Sequence, residues 1–400
     1  MSKTVTADIA IVGAGTAGLA AAVALSRIGY RVAVLEAAPR PQLPAVGEGI
    51  EDWDQRVSAL TPATSAFLEQ LGVWRRIVAE RAGPYTDMHV WDAEGTGRID
   101  FSAAEVAAPL LGHIVENRRL IDALLLAAET LPGIDLLWEA PLTALDAGAD
   151  GEVLLHSDAL PDPLVASLVI GADGGRSRVR ELADFEVRRW SYQQQAIVAT
   201  VALAESHQAA CWQAFLPTGP LALLPLAPEH LCSIVWSLDD EDCERWLAAE
   251  PSAFVAGLNR AVDSVGPAVA AVSERRAFPL VQCHAVDYIQ PGIVLVADAA
   301  HSIHPLAGQG INLGLADVQV LAEELARARE AGLNPGDTAV LRRYQRQRKG
   351  ENLTMMAAME AFKRGFGADL PLLRVARNAG LDWVNQMRPL KQWFMRQALR

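Results

Sequence analysis

The chain is short of cysteine and of net positive charge, and each shortage closes a class of function. Four cysteines in 400 residues (Cys211, Cys232, Cys243 and Cys283) are too few and too widely spaced for a disulfide framework or a cysteine-rich zinc site. Reduced thiols are expected, and no histidine at motif spacing suggests a nucleophilic one. A formal net charge of −13 argues against general nucleic-acid binding, which requires clustered Lys and Arg to neutralise phosphate. Internal repeats and low-complexity segments are also missing. What is present is apolar: 51% of residues are hydrophobic and 21% charged, enough for a large core and too apolar for intrinsic disorder. With about 150 residues per domain as a guide, the length predicts two or three domains.

Ile9 to Ser26 carries no charge over eighteen residues, the length of a short membrane span. Three glycines interrupt it, Asp8 borders it and only Lys3 precedes it, so a buried strand, turn and helix explain it better than a span or signal peptide. Ile9–Val12 is a β-type run, Gly13-Ala-Gly-Thr-Ala-Gly18 follows, Leu19–Arg27 favours helix, and Arg31–Leu35 is a second strand ending at Glu36. This is the order of a dinucleotide-binding βαβ unit. Gly13 allows the turn, Gly15 leaves room for a pyrophosphate, and Gly18 lets the helix approach the strand. The helix N-terminus supplies partial positive charge, and Glu36 can accept hydrogen bonds from a ribose. These residues predict FAD or NAD binding.

Two later segments bear on that choice. Gly171-Ala-Asp-Gly-Gly175 follows the apolar run Leu168–Ile170. Ile293–Val296 leads into Ala297-Asp-Ala-Ala-His-Ser-Ile-His-Pro305, then Leu306-Ala-Gly-Gln-Gly-Ile-Asn-Leu-Gly314, then a helical pattern over Leu315–Arg329. A strand feeding a glycine-rich loop and a helix start makes a second donor-rich site, suited to the pyrimidine edge of a flavin. Asp298 could hydrogen-bond a polyol such as ribitol.

These residues carry a resemblance. The run His-Pro-Leu-Ala-Gly-Gln-Gly-Ile-Asn-Leu-Gly-Leu-Ala-Asp from His304 to Asp317 is similar to the signature of the ubiquinone-biosynthesis branch of the single-component FAD-dependent aromatic hydroxylases. Arg56-Val-Ser-Ala-Leu60, Leu71-Gly-Val-Trp74, Gly112-His-Ile-Val-Glu-Asn117 and Gly219-Pro-Leu-Ala-Leu-Leu-Pro225 are family-like too, so the resemblance spans roughly residues 5–365. His230–Leu238 and the Asp298-Ala-Ala-His301 form resemble the 2-polyprenylphenol (C5) hydroxylase most within the branch.

The resemblance implies an α/β fold: a Rossmann-like FAD-binding domain with an inserted, mainly antiparallel β-sheet substrate domain and C-terminal helices. The expected division is 1–80, 113–183 and 283–345 for the FAD domain, 81–112 and 184–282 for the substrate domain, and 346–400 for a helical tail. By the same resemblance Gly13, Gly15, Gly18 and Glu36 hold the ADP half of FAD, and Arg56 and Asn117 line the cofactor. Asp173 steadies the loops near the pyrophosphate, and Asp298 contacts ribitol. Gly310, Ile311 and Asn312 meet the isoalloxazine mainly through backbone groups, and Pro305 and His304 stand beside flavin and substrate as the catalytic pair. A surface salt bridge is the competing role for Arg56. One departure is Ala297, where the family usually has Gly; its methyl is expected to press on the ribityl chain. His301 and His304 lack an acidic cluster, so loop-fixing hydrogen bonds rather than a metal are expected.

The implied chemistry belongs to the cofactor. Reduced flavin and dioxygen give a C4a-hydroperoxide, which an electron-rich phenol ring attacks; NAD(P)H is the implied transient reductant, although no second GxGxxG is present for it. Between the flavin segments, alternating stretches such as Met88–Phe101, Ala196–Leu203, Leu221–Leu226 and Leu231–Leu238 predict the sheet, and Asp239–Glu244 a solvated helix start. From Arg342 to Arg400 thirteen Lys/Arg face four Asp/Glu, a net of +9, leaving −22 for the rest. With Met355, Met356, Met359, Phe362 and Phe366 at helical spacing, and Trp393, Phe394 and Met395 among basic residues, the tail is expected either to lie on an anionic membrane, to pack on the acidic body or to meet a partner protein. The expected protein is cytoplasmic, or peripheral at the inner membrane, and acts on a prenylated phenol with dioxygen. A hydroxylase of another ring position, a hydroxylase of a soluble aromatic and a non-catalytic flavoprotein subunit of a biosynthetic complex remain open alternatives.

Overall fold

The computed structural model describes residues 6–42, 46–47, 49–262, 265–302, 310–367, 385 and 387–399. Strands Thr6–Val12 and Val32–Leu35 pair in parallel, with helix Thr16–Arg27 between them in the chain. Ile9, Ala10 and Ile11 are fully buried, as in a parallel sheet covered on both faces. The sheet runs, from one edge, Ile289–Gln290, Ile293–Leu295, Leu164–Gly171, Thr6–Val12, Val32–Leu35, Ile134–Leu137. Its strands come from distant parts of the chain. Helix Gly310–Glu330 covers one face against Thr16–Arg27, and the Tyr30 hydroxyl donates to the Leu325 carbonyl at 2.9 Å.

A second sheet runs His301–Ser302, Arg276–Ala285, Val187–Leu203, Leu231–Asp239, Gly219–Pro225, Ala210–Leu216, Asp87–Asp92, Arg98–Ser102. It is antiparallel except where Ala210–Leu216 meets Asp87–Asp92 in parallel. Period-two alternation sorts its side chains. Trp212, Ile234 and Trp236 pack with Phe254 and Leu258 of the covering helix Pro251–Val262. Cys211, Ala222 and Leu224 instead join Ala59 and Ile114 of a small sheet formed by Val57–Leu60, Gly112–Glu116 and Ala82–Tyr85. Strand Arg276–Ala285 runs through residue 283, where the sequence reading divides two domains, and its Cys283 and His284 pair with Ser302 and His301. The polypeptide thus crosses between the sheets immediately before residue 303.

At the C-terminus, helix Thr338–Gly367 packs along Gly310–Glu330, and helix Arg388–Ala398 lies on the outer edge of the second sheet. Lys391 is buried and pairs with Glu105 at 2.7 Å, while Gln392 donates to the Glu105 carbonyl at 2.8 Å. Met356 and Met395 are buried and Trp393 is 55% exposed. The side chains of Met359, Phe362, Phe366 and Phe394 lie outside the described residues.

Candidate active site

The glycine-rich turn is shaped by close approaches. Gly13 adopts φ +104°, and a Cβ there would meet the Ala172 carbonyl oxygen at 2.6 Å. A Cβ on Gly18 would lie 1.9 Å from the Gly13 carbonyl oxygen, so helix and turn touch backbone to backbone. Gly15 is the opposite case: nothing lies within 4 Å of where its Cβ would be. It is also the N-cap of Thr16–Arg27, and no side chain caps that helix. The first-turn N–H groups and the positive end of the helix dipole therefore border open space, a ready anion site. Glu36 stands at the end of the neighbouring strand, accepting from Ala14 N–H at 2.7 Å and Ala38 N–H at 2.9 Å. A carboxylate has about four lone-pair sites, so two remain for ribose hydroxyls. Open space, an uncapped helix and an anchored carboxylate fit the ADP half of FAD. Asp173 lies in the turn that closes over Gly13. Its Oδ2 caps helix Arg178–Leu182 by accepting from Arg178 and Val179 N–H at 2.6 and 3.1 Å. Its Oδ1 is buried without a partner among the described residues.

The flavin end is built around strand Val57–Leu60. Arg56, just before it, is exposed; its guanidinium lies 5.4 Å from the Phe278 ring centroid, and it forms no ion pair among the described residues. Asn117, opposite, donates its backbone N–H to the Arg56 carbonyl at 2.9 Å and accepts from the Ser58 hydroxyl at 2.6 Å. From the other side, Asn312 in the first turn of Gly310–Glu330 accepts from Thr61 N–H at 3.1 Å and donates to the Ala59 carbonyl at 2.8 Å. Its side chain is engaged by the strand, so a flavin would meet it through backbone. Gly310 opens the helix with nothing within 4 Å of its Cβ direction, and Ile311 is half-buried against the core. His304 and Pro305 lie outside the described residues.

Asp298 is exposed where strand Ile293–Leu295 ends, available to a polyol. Ala297 beside it adopts φ +52°, the left-handed region that favours glycine. Its methyl faces helix Gly310–Glu330: a Cβ built on Gly314 would lie 2.7 Å from it. Backbone strain and a close seat against Gly314 are therefore a second consequence of this methyl, beside the expected push on the ribityl chain. Ala297→Gly is expected to stabilise the apoprotein by about 0.5–1 kcal/mol while shifting FAD affinity less than about twofold. Urea midpoints and FAD titration check this; a large affinity gain without added stability would favour the ribityl explanation.

Beneath this end lies a polar cluster that sequence reading missed. Asp317, fully buried, accepts on Oδ2 from Ala297 N–H at 3.0 Å and sits 2.6 Å from His301 Nε2. Its Oδ1 accepts from Arg348 Nε at 2.7 Å and Asn352 Nδ2 at 3.2 Å. Burial alone would raise its pKa; His301 and Arg348 outweigh burial and hold the carboxyl below its ordinary value. His301, in the segment before residue 303, is thereby fixed to helix Gly310–Glu330. The available signals were the terminal Asp of the His304–Asp317 run and Arg348 and Asn352 one helical turn apart.

His284 joins the cluster through Tyr288, whose hydroxyl is 3.1 Å from its Nε2. Burial first, then the charges of His301, Lys349 and Arg188, push its pKa down to about 4. His284 is neutral when folded, whereas in the unfolded chain it takes up a proton below about pH 6.5. Stability is therefore lost as pH falls from about 6.5 towards 4, by about 1–2 kcal/mol after screening. His284→Gln is expected to flatten that part of the stability–pH curve; an unchanged slope would assign the acid sensitivity elsewhere.

A small cavity of about 20 Å³, room for one water, lies between the second sheet and strand Val57–Leu60, lined by Ala59, Tyr85, Met88, Cys211, Gln213 and Leu224, among others. Burial pushes the Cys211 thiol well up, so it is a protonated, apolar wall rather than a nucleophile. Ala59 belongs both to this wall and, through Asn312, to the flavin end. A larger depression of about 370 Å³ near Thr143–Pro163 lies at the first sheet's edge, away from these groups.

A dinucleotide cradle on the first sheet and an apolar wall on the second, joined through strand Val57–Leu60 of the small sheet, suit a flavin-dependent hydroxylase of an aromatic ring. The profile of the FAD binding domain family matches residues 6–357, and the chain belongs to that family, among the ubiquinone-biosynthesis monooxygenases. It is 38% identical to the 3-demethoxyubiquinol 3-hydroxylase of Escherichia coli, over 98% of each chain. It is also 38% identical to the ubiquinone hydroxylase of Rhodospirillum rubrum, over 98% of this chain and 89% of that one. The human mitochondrial ubiquinone biosynthesis monooxygenase COQ6 is 31% identical, over 97% and 91%. The crystal structure of p-nitrophenol 4-monooxygenase from Pseudomonas putida shares the fold, with a TM-score of 0.77 at 20% identity, over 100% of this chain and 97% of that one. FAD is the cofactor.

Proposed function

We propose that this enzyme hydroxylates the aromatic ring of a prenylated phenol in ubiquinone biosynthesis, using dioxygen and NAD(P)H as a transient reductant. The observation that carries the reading is the apolar layer of Met88, Cys211, Ala222 and Leu224, which meets the flavin end through Ala59 of strand Val57–Leu60. Bound FAD supplies the oxygen-activating chemistry. The chain's own residues bind and orient. Gly13, Gly15, Gly18 and Glu36 would hold the ADP half, with Asp173 bracing the turn above. Arg56 is the exposed cation at the mouth, and Asp298 the polyol contact. Gly310 and Ile311 begin the helix whose free N–H groups would face the flavin's electron-rich edge, while Asn312 locks that helix to the pocket wall. An apolar wall excludes water, which protects a reactive oxygen donor from wasteful breakdown.

The Asp298-Ala-Ala-His301 and His230–Leu238 features favour oxygenation at the ring position later called C5. The 38% identity to a 3-demethoxyubiquinol 3-hydroxylase favours a second reading, oxygenation of a demethoxyquinol ring. Among the described residues no helix is long and apolar enough to cross a membrane. The exposed Trp393 and Arg396 on helix Arg388–Ala398 are the proposed contact with an anionic bilayer, from which a prenylated substrate would be drawn. In this reading the enzyme works in the cytoplasm, at the inner-membrane surface. The FAD-loaded enzyme should consume oxygen with a short-chain prenylphenol but not with small soluble phenols, and NMR of the product fixes the ring position. Equal turnover of a soluble phenol would replace the prenylated substrate by a smaller one.

A further inference from the structure

Strand Val187–Leu203 begins outside the body of the second sheet. Over Val187–Ser191 it pairs only with Val281–Ala285 among the described residues, and Leu231–Asp239 joins it from Gln194 onward. The result is a two-stranded ribbon of Val187–Gln195 and Arg276–Ala285. It exposes Trp190 at 48%, Val187 at 38%, Val281 at 37% and Phe278 at 36%. These are four of the nine large apolar side chains exposed among the described residues, and the other five are scattered along the chain. Single exposed apolar residues need no explanation, whereas a cluster marks an interaction surface. Directly paired residues share a face, so Trp190 sits with Gln282, and alternation puts Phe278 on that side. Val187 and Val281 occupy the other. Arg188, Arg189 and Arg276 are the ribbon's formal charges, and it has no Asp or Glu in a chain that carries 48 of them. Arg276 lies 3.5 Å from Glu274, while Arg188 and Arg189 form no ion pair among the described residues. The ribbon also borders the flavin end: the Arg56 guanidinium stands 5.4 Å from the Phe278 ring centroid, and His284 pairs with His301.

We propose that this ribbon docks the enzyme on an anionic bilayer, with Trp190, Val187 and Val281 entering the headgroup region and Arg188 and Arg189 meeting lipid phosphate. The assignment rests on the proposed function, whose prenylated substrate would then leave the lipid beside the flavin end. Two observations favour lipid over a protein partner. Apolar side chains on both faces of a narrow ribbon suit a fluid layer that closes around it, whereas a protein surface covers one side. Unpaired arginines beside an exposed tryptophan supply both the attraction to anionic headgroups and the ring that settles at their level. Helix Arg388–Ala398 lies at the far edge of the same sheet, so the two contacts are separable.

The test uses the FAD-loaded full chain with vesicles of phosphatidylglycerol or of phosphatidylcholine, and reads binding by flotation. The wild type is expected to bind phosphatidylglycerol at least about tenfold more tightly than phosphatidylcholine. Trp190→Ser should weaken binding to both by about tenfold. Arg189→Glu should weaken phosphatidylglycerol binding by about thirtyfold. Arg188 is kept, because its charge acts on His284. Both variants should turn over a short-chain prenylphenol in solution at the wild-type rate. Full vesicle binding by both, with any loss confined to Trp393→Ser at the far edge, overturns the ribbon assignment and leaves the proposed function standing. A wild type that hydroxylates the prenylphenol but binds neither vesicle does the same. Dimers that Trp190→Ser dissociates, without lipid binding, would make the ribbon a contact between copies and overturn it too. A wild type that binds phosphatidylglycerol but hydroxylates no prenylphenol overturns the proposed function alone.

Discussion

Asp317→Asn is expected to destabilise the apoprotein by about 3–5 kcal/mol and to leave it unable to retain FAD. The reason lies in the hydrogen-bond count. Four donors converge on this carboxylate: Ala297 N–H and His301 on one oxygen, Arg348 and Asn352 on the other. An amide presents one oxygen and one NH2 group, so either flip sets its N–H groups against two buried donors. Arg348, itself buried, would also lose its principal counter-charge. Because Ala297 adjoins Asp298 and His301 precedes residue 303, the disturbance falls on the flavin end. Arg348→Met should cost less, since the carboxylate keeps three donors. It should also raise the Asp317 pKa, so that stability present above that pKa is lost at a higher pH as acid is added. His301, the other charged partner of Asp317, is left in place, as are Tyr288, Tyr344 and Asp298, whose pKa values the Asp317 charge helps to raise. The double variant should be less destabilised than the sum of the singles. Urea unfolding of the four proteins measures each quantity, and a loss under 1 kcal/mol for Asp317→Asn would show that the cluster is not what holds this end together.

Gly18→Ala should be nearly as damaging. The added methyl would begin 1.9 Å from the Gly13 carbonyl oxygen, and backbone cannot yield as a flexible side-chain tip can. Helix Thr16–Arg27 must then move off the sheet, carrying with it the first-turn N–H groups that border the open space over Gly15. A loss of about 3 kcal/mol in stability and at least a hundredfold in FAD affinity is expected. Gly15→Ala is the control: its Cβ meets nothing in the protein, so apoprotein stability should hold while FAD affinity falls. Equal losses of stability in both variants would contradict this account of the turn.

Much of this site could be read from local spacing. The interval from Gly13 to Gly18 with a strand on either side, and the run from His304 to Asp317, are short patterns whose chemistry follows from backbone geometry. Strand extents were also legible where burial imposes continuity or alternation, as in Ile9–Val12 and Leu231–Leu238. The rest depends on contacts made across long separations. Asp317 meets Arg348 and Asn352 only because two helices pack side by side, and no local pattern announces that. Alternation along Ala210–Leu216 groups Cys211 with Gln213 but does not say which face meets Val57–Leu60. The Ala297 methyl could be placed only once its backbone was seen to be left-handed with Gly314 beside it. The tail shows the same limit: its charge was plain, but Lys391 turns inward to Glu105, far away in sequence.

The most direct test of the central claim is isotopic. FAD-loaded enzyme, NAD(P)H and a short-chain prenylphenol are incubated under 18O2, and the product is weighed by mass spectrometry. The account predicts a single 18O atom on the ring, formed in proportion to reductant oxidised. Reductant consumption yielding only hydrogen peroxide, with the phenol recovered unlabelled across donors and chain lengths, would contradict it.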